Sequence, residues 1–279
     1  MIDENSLQAS GVLRHRPGVK LFCCQLDVVW EDKSANFAKA GALIDNACPT
    51  PGSLVVLPEM FATGFTMNVG QMAEPSEGAT SQFLSGLARK FRAHVMGGLV
   101  TRGADGKCRN QAVVFSPDGL EVTRYSKIHP FSPGGEAVAC AAGNQITTFK
   151  WNEVLVAPFV CYDLRFPEVF RQAAWQRPQL YTVIASWPEA RIGHWVKLLQ
   201  ARAVENQAFV VGVNRIGRDP KLNHTGRSMI IDHNGDILTD AGNNECVISA
   251  ELDFTKLDDY RRALPFLDDM RPEEVRRNA

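Results

Sequence analysis

The chain has 279 residues, of which 45% are hydrophobic and 22% charged, enough apolar sequence for a sizeable core. That balance excludes a disordered chain, a collagen-like repeat and a disulfide mini-protein. Lys and Arg number 30 against 31 Asp and Glu, so the net charge of −1 excludes a strongly basic nucleic-acid footprint as the default reading.

Residues 1–18 read as a polar leader, without the apolar stretch of a secretory signal. A first strand is predicted at Val19 to Leu26. Glu31 to Ala47 places Phe37, Ala40, Ile44 and Ala47 on one helical face, and Pro49, Pro51 and Gly52 end it. Ser53 to Leu57 is a short apolar run that suits a strand buried on both faces. Thr80 to Ala93 reads as a helix with Phe83, Leu84, Leu87, Ala88 and Phe91 inward. Val95 to Thr101 and Asn110 to Phe115 flank a turn at residues 104–107, and Pro117-Asp118-Gly119 turns into a strand from Glu121 to Lys127. Residues 129–145, rich in Pro, Gly and Ala, read as a long loop of the functional kind.

Further on, Glu153 to Val160 is a second buried strand, and Pro167 opens a helix that runs to about Trp175. Leu180 to Ser186 and Phe209 to Asn214 are strands on either side of a helix from His194 to Gln207 with Leu198, Leu199 and Ala203 inward. Ser228 to Asp232 and Asp236 to Thr239 flank the Asn234-Gly235 turn, which with the earlier hairpin hints at internal duplication. Cys246 to Leu252 is the last strand, followed by a short helix. No linker divides the alternation, so residues 19–279 read as a single α/β domain with mixed sheets covered by helices.

The seven cysteines include no C-x-x-C and no Cys/His group at zinc spacing, which predicts buried free thiols in a reducing compartment and no metal. The apolar runs are far shorter than the ~20 residues of a membrane span, so a soluble, cytoplasmic protein is expected. Three polar residues stand at or near the ends of apolar strands: Glu59, Lys127 and Cys161. Cys161 sits at a strand-to-helix switch that aims its side chain and the next backbone N–H outward, with a helix N-terminus nearby to lower the thiol pKa. A thiolate and a backbone oxyanion donor are the minimum for acyl transfer. Taken singly, each has a plainer reading: a structural thiol, a solvated strand-end carboxylate and a snorkelling lysine.

In context the three resemble a family. Leu57-Pro58-Glu59-Met60-Phe61, Tyr125-Ser126-Lys127-Ile128-His129 and Val160-Cys161-Tyr162-Asp163-Leu164-Arg165-Phe166-Pro167-Glu168 resemble, in order, the motifs of the nitrilase superfamily of carbon–nitrogen hydrolases, over residues 19–265. The resemblance implies an α-β-β-α sandwich that pairs into a homodimer and works without a metal or other cofactor. It implies Glu59 as general base, Cys161 as the nucleophile that forms a thioester, and Lys127 with the Tyr162 backbone N–H as oxyanion donors. It also implies a second catalytic glutamate, Glu136, in the loop after the lysine.

Ala185-Ser186-Trp187-Pro188, Arg191 with His194-Trp195, residues 201–207, residues 212–217 and Thr225-Gly226-Arg227-Ser228 are similar to the omega-amidase branch. That branch implies a small amide substrate, a dicarboxylate monoamide such as 2-oxoglutaramate, 2-oxosuccinamate or succinamate, cleaved with water. Its free carboxylate needs a cation: Arg165 is the first candidate, with a salt bridge to Glu168 or another helix residue as its alternative role, and Arg191 the second. Phe65 and Trp187 are candidate pocket walls. His129 and His194 read as structural, and Glu205 as a support for Lys127 or a subunit contact. Pro130 and the loop 131–142 depart from the family pattern and leave the pocket's size open. The rival readings are a relative acting on another aliphatic amide, an N-carbamoyl compound or a nitrile, a non-catalytic member that binds a ligand or partner, and a redox-sensing thiol protein.

Overall fold

The computed structural model describes residues 19–271. The expected leader at 1–18 lies outside the described residues, as do positions 272–279. In chain order the elements are β1 (Val19–Gln25), α1 (Lys33–Ala47), β2 (Leu54–Val56), α2 (Val69–Met72), α3 (Ala79–Phe91), β3 (His94–Arg102), β4 (Cys108–Phe115), β5 (Glu121–Ser126), α4 (Glu136–Ala139), β6 (Phe149–Trp151) and β7 (Val154–Val160). There follow α5 (Pro167–Ala174), β8 (Leu180–Ala185), α6 (Ile192–Glu205), β9 (Phe209–Asn214), β10 (Ile216–Arg218), β11 (Asn223–Thr225), β12 (Met229–Ile231), β13 (Ile237–Asp240), β14 (Cys246–Leu252) and α7 (Phe254–Ala263).

Among the described residues the strands form two six-stranded sheets, ordered β14-β1-β2-β3-β4-β5 and β13-β12-β9-β8-β7-β6, with β10 and β11 as a separate pair. The two large sheets repeat one pattern. In the first, β1, β2 and β3 run parallel, β4 and β5 meander antiparallel from β3, and β14 adds antiparallel to β1. In the second, β7, β8 and β9 run parallel, β12 and β13 meander from β9, and β6 adds antiparallel to β7. The two hairpins read from the sequence occupy equivalent places in the two sheets.

Side-chain alternation explains the layering, because successive residues of a strand face opposite sides of its sheet. Leu21, Cys23, Leu54, Val56, Ala112 and Val114 enter the core between the sheets with Val156, Val160, Ile184 and Val211. Their neighbours Phe22, Cys24, Val55, Leu57 and Val113 turn outward, where Ala40 and Ile44 of α1 and Leu84, Leu87 and Ala88 of α3 cover them. Phe170 and Ala173 of α5 and Trp195, Leu199 and Ala203 of α6 cover the other sheet. The order is therefore helix, sheet, sheet, helix. Leu84 is fully buried, so Leu84→Ala should cost about 2–5 kcal/mol.

The boundaries differ from expectation where local chemistry intervenes. Helix α1 starts two residues late because Asp32 caps it, accepting from the Ala35 N–H at 2.9 Å, while Glu31 takes a left-handed φ of 54°. Asn36 joins Ala40 and Ile44 on the buried face: its side chain donates to Val29 O and Ala62 O and so stitches the preceding loop to the helix. The loop at 129–145 contains a 3-10 turn, Ser132–Gly134, and then α4, where a plain loop was expected. The short strands β6, β10 and β11 were not anticipated; three residues are too few to show a period. Of the thiols expected to be buried, Cys48 is exposed and Cys246 half-buried. Among the described residues no helix is long and apolar enough to cross a membrane.

Candidate active site

The ends of β2, β5, β7 and β8 converge at the seam between the sheets. Glu59 lies three residues past the end of β2, and Lys127, Cys161 and Ser186 each follow directly on β5, β7 and β8. The Glu59 turn lies hard against β3, and Gly98 makes this contact: a Cβ there would stand 2.5 Å from Glu59 Cα and 2.6 Å from Met60 N.

Four of the residues read from the sequence meet at this seam. Lys127 Nζ lies 2.8 Å from Glu59 Oε1 and 2.8 Å from Glu136 Oε2. All three side chains are shut off from solvent. The Asn110 amide donates to Glu59 Oε1 at 2.6 Å and to Glu136 Oε1 at 2.7 Å. Ser186 N–H donates to Glu59 Oε2 at 2.8 Å, and Phe131 N–H donates to Glu136 Oε2 at 2.6 Å. Burial opposes the Lys127 ammonium, but the charges of Glu59, Glu136 and Cys161 outweigh it and hold its pKa above the usual lysine value. The lysine is thus a fixed cation. Asn110, Ser186 and Phe131 supply the further donors that the two buried carboxyl groups take beside that cation.

Cys161 opens a 3-10 turn, Cys161–Arg165, with φ of +48°. A side chain in the left-handed region costs about 1–3 kcal/mol of strain, which the packed strand end and turn must overcome. The thiol lies beside the Glu59 carboxylate and the Ser186 N–H. Burial first, and then the Glu59 charge, push its pKa well up, while Lys127 and the Ser186 N–H pull the other way without offsetting them. This corrects the expectation of a thiol acidified by a helix N-terminus: the resting group is a neutral S–H with a carboxylate next to it, the arrangement in which a base removes the proton as the sulfur attacks.

The site opens into a cavity of about 520 Å³ lined by Phe65, Phe131, Cys161, Tyr162, Arg165 and Trp187, with Arg191, Lys221 and His224 further round the wall. Trp187 is rigidly held, its N–H donating to Asn214 Oδ1 at 2.7 Å and its indole to Arg191 O at 2.8 Å. The Arg165 guanidinium lies 4.7 Å over the Trp187 ring and that of Arg191 5.8 Å over Phe131. Among the described residues neither arginine pairs with a carboxylate, so the alternative Arg165–Glu168 bridge does not form. Phe65 stands beside Lys127, 5.3 Å from Nζ. The atypical loop contributes Phe131, Pro133 and Gly134 to the wall.

The other polar residues fall outside the cluster. His129 stacks on Phe166, with Nδ1 2.9 Å from Asp163 Oδ1, and Asp163 also takes the Tyr125 hydroxyl. His194 is exposed in α6, with Nδ1 3.4 Å from Arg165. Glu205 pairs with Arg202 at 3.1 Å, not with Lys127, which corrects its expected supporting role. His224, buried in the cavity wall, has Nε2 3.4 Å from Ser186 Oγ and 3.8 Å from Asp219 Oδ2. Burial, then the Arg215 charge, lower its pKa to about 4 against a smaller opposing pull from Asp219. Asn110, Ser186 and Asn214 were not singled out in the sequence as functional. Ser186 and Asn214 lie within segments that carry the family resemblance, whereas Asn110 had no local signal at all.

Two mixed sheets back to back, with a thiol, a lysine and two carboxylates at their shared edge, define a hydrolase scaffold. The chain belongs to the carbon-nitrogen hydrolase family, whose model matches residues 20–262. It is 36% identical to an omega-amidase of Yersinia enterocolitica, covering 90% of this chain and 96% of that protein. It is 31% identical to a 2-oxoglutaramate amidase of Bacillus subtilis, covering 90% and 97% respectively. A solved structure of a superfamily protein from Xanthomonas campestris, with an arsenic adduct in its active site, superposes with a TM-score of 0.87 at 31% identity over 92% of this chain and 98% of that one.

Proposed function

We propose that this protein hydrolyses the terminal amide of a short dicarboxylate monoamide, of the 2-oxoglutaramate, 2-oxosuccinamate or succinamate type, to a carboxylate and ammonia. The observation that carries the reading is the Cys161 thiol beside the Glu59 carboxylate on the wall of a cavity that also holds Arg165, which pairs with no carboxylate among the described residues. Glu59 takes the thiol proton as the sulfur bonds to the amide carbon. The carbonyl electrons move onto oxygen, which faces Lys127 Nζ and the Tyr162 N–H. The carbon–nitrogen bond then breaks, the nitrogen leaves as ammonia with the proton from Glu59, and a thioester remains. Water, deprotonated by Glu59, attacks the thioester, and the released thiolate takes the proton back. Glu136 holds Lys127 from the second side. Arg165 takes the substrate's free carboxylate while Trp187 and Phe65 wall the chain between the two ends, and Arg191 supplies a second positive charge.

Residues 19–279 would act as one catalytic domain, paired as a homodimer in the cytoplasm, where reduced thiols persist. Ammonia release from 2-oxoglutaramate and succinamate by wild type and Cys161→Ala tests the reading. Release that the substitution abolishes supports it, and full activity in Cys161→Ala overturns it. Faster turnover of propionamide than of either acid removes the role of Arg165 and moves the substrate to an uncharged amide.

A further inference from the structure

Asn110 lies in β4 and is 2% exposed. One residue there touches three of the four site residues. Its Nδ2 donates one hydrogen to Glu59 Oε1 at 2.6 Å and one to Glu136 Oε1 at 2.7 Å, and its backbone oxygen accepts the Lys127 N–H at 2.9 Å. Its Oδ1 has no partner. Flipping the amide would set that oxygen against two carboxylates, so the orientation is forced by charge.

Lys127 and Asn110 together close a ring. Nζ bridges Glu59 Oε1 and Glu136 Oε2 on one side, and Nδ2 bridges Glu59 Oε1 and Glu136 Oε1 on the other. Glu59 Oε1 is thereby saturated by two donors. Oε2 is left toward the Ser186 N–H, the N–H that also acts on the Cys161 thiol. The Ser186 and Phe131 N–H groups each hold one carboxylate singly, whereas the planar amide, with its two hydrogens at a fixed angle, ties the two to each other.

We propose that Asn110 is the positioning residue of the acid–base cluster, committing one oxygen of Glu59 to the ring so that the other faces the Cys161 thiol. The inference rests on Glu59 acting as the base toward Cys161. The titratable groups that face the two carboxylates are Lys127 at the end of β5, Cys161 after β7 and Cys140 after α4. Burial raises the pKa of the Cys140 thiol to about 12 and that of Cys161 well up, and the neighbouring negative charges hold Lys127 above the usual lysine value.

The test compares wild type, Glu59→Gln, Asn110→Leu, Asn110→Ser and Asn110→Asp. It reads thermal midpoint, kcat and KM on 2-oxoglutaramate, and Cys161 alkylation by iodoacetamide against pH. Asn110→Leu keeps the shape and removes both donors; its kcat should fall about 100-fold, as for loss of acid–base catalysis, with KM unchanged. Carboxylates without those donors hold a proton to higher pH, so the acid limb of the alkylation profile should move up. Asn110→Ser, with one donor, should fall between, and Asn110→Asp, which adds a third acid, should move the limb furthest. Wild-type kcat and profile in folded Asn110→Leu, or reduced activity with an unmoved profile in the folded variants, overturns the proposal. If Asn110→Leu does not fold, the serine and aspartate variants decide by the same criterion. Alkylation in Glu59→Gln identical to wild type overturns the underlying assignment of the base instead.

Discussion

The backbone N–H of Ser186 donates to Oε2 of Glu59 at 2.8 Å, a bond between the end of a strand in one sheet and the turn after a strand in the other. The Glu59 carboxylate is therefore held by both sheets at once. Its geometry depends on how the sheets are packed, which ties activity to the inter-sheet core.

Glu59→Gln keeps one acceptor oxygen but turns an NH2 against either the Ser186 N–H or the Lys127 and Asn110 donors, and it removes the carboxylate. It should fold with a lowered melting midpoint and lose about 10²–10⁴-fold in kcat/KM for ammonia release. A variant within a few-fold of wild type would show that another group takes the Cys161 proton.

Lys127→Met leaves Glu59 and Glu136 buried without their cation. Stripping one partner from a buried pair typically costs about 3–5 kcal/mol, so urea denaturation should show a loss of that order together with loss of turnover. A wild-type unfolding midpoint would mean that the N–H donors alone neutralise the carboxylates.

Gly98→Ala places a methyl group against the Glu59 backbone, where nothing can rotate away. Overpacking of this kind costs about 1–3 kcal/mol and should displace the base, giving a larger loss of kcat than the modest fall in melting midpoint suggests. Unchanged kinetics would show that β3 moves aside.

Arg165→Met should raise KM for 2-oxoglutaramate about 10–100-fold, the range of a charged hydrogen bond of about 1.5–3 kcal/mol, and leave propionamide hydrolysis alone. Lysine should restore little, since it cannot lie flat over Trp187 and fork to a carboxylate. Equal losses on charged and uncharged amides would place Arg165 in the architecture of the turn.

Stability should fall on both sides of neutral pH. The folded pKa of His224 is lowered to about 4 from 6.5, so the unfolded chain binds more protons in that window. The stabilisation present above 6.5 is lost as pH falls toward 4, at ~1.4 kcal/mol per pH unit for one proton. Cys24 is raised from 9.0 to about 12 and Cys161 well up, both by burial, so the folded chain keeps protons that the unfolded chain releases, and stability drops as pH climbs past 9. Denaturation midpoints across pH check both arms, and His224→Gln should flatten the acid one. An acid slope unchanged in that variant assigns the loss to other groups.

The sequence by itself determined most of the strands, the main helices and the four residues of the cluster. Buried strands such as Leu54–Val56 and Leu180–Ala185 carry their burial in composition, and Glu59, Lys127, Cys161 and Glu136 sit in local contexts a few residues long. Tertiary structure alone decided what depends on distant neighbours. Asn110 meets Glu59 across 51 positions and Glu136 across 26, and nothing near it in the chain marks it as more than a polar residue in a strand. The sign of the Cys161 shift was read wrongly from its place before a helix because desolvation, the largest contribution, belongs to the groups packed around the sulfur. Of the two roles read for Glu205, support for Lys127 or a subunit contact, the first fails because its place in α6 turns it to Arg202. Local sequence encodes which face of an element is apolar and where it must turn. Charge, proton affinity and hydrogen-bond partnership are sums over space, and they exist only once the two sheets have closed.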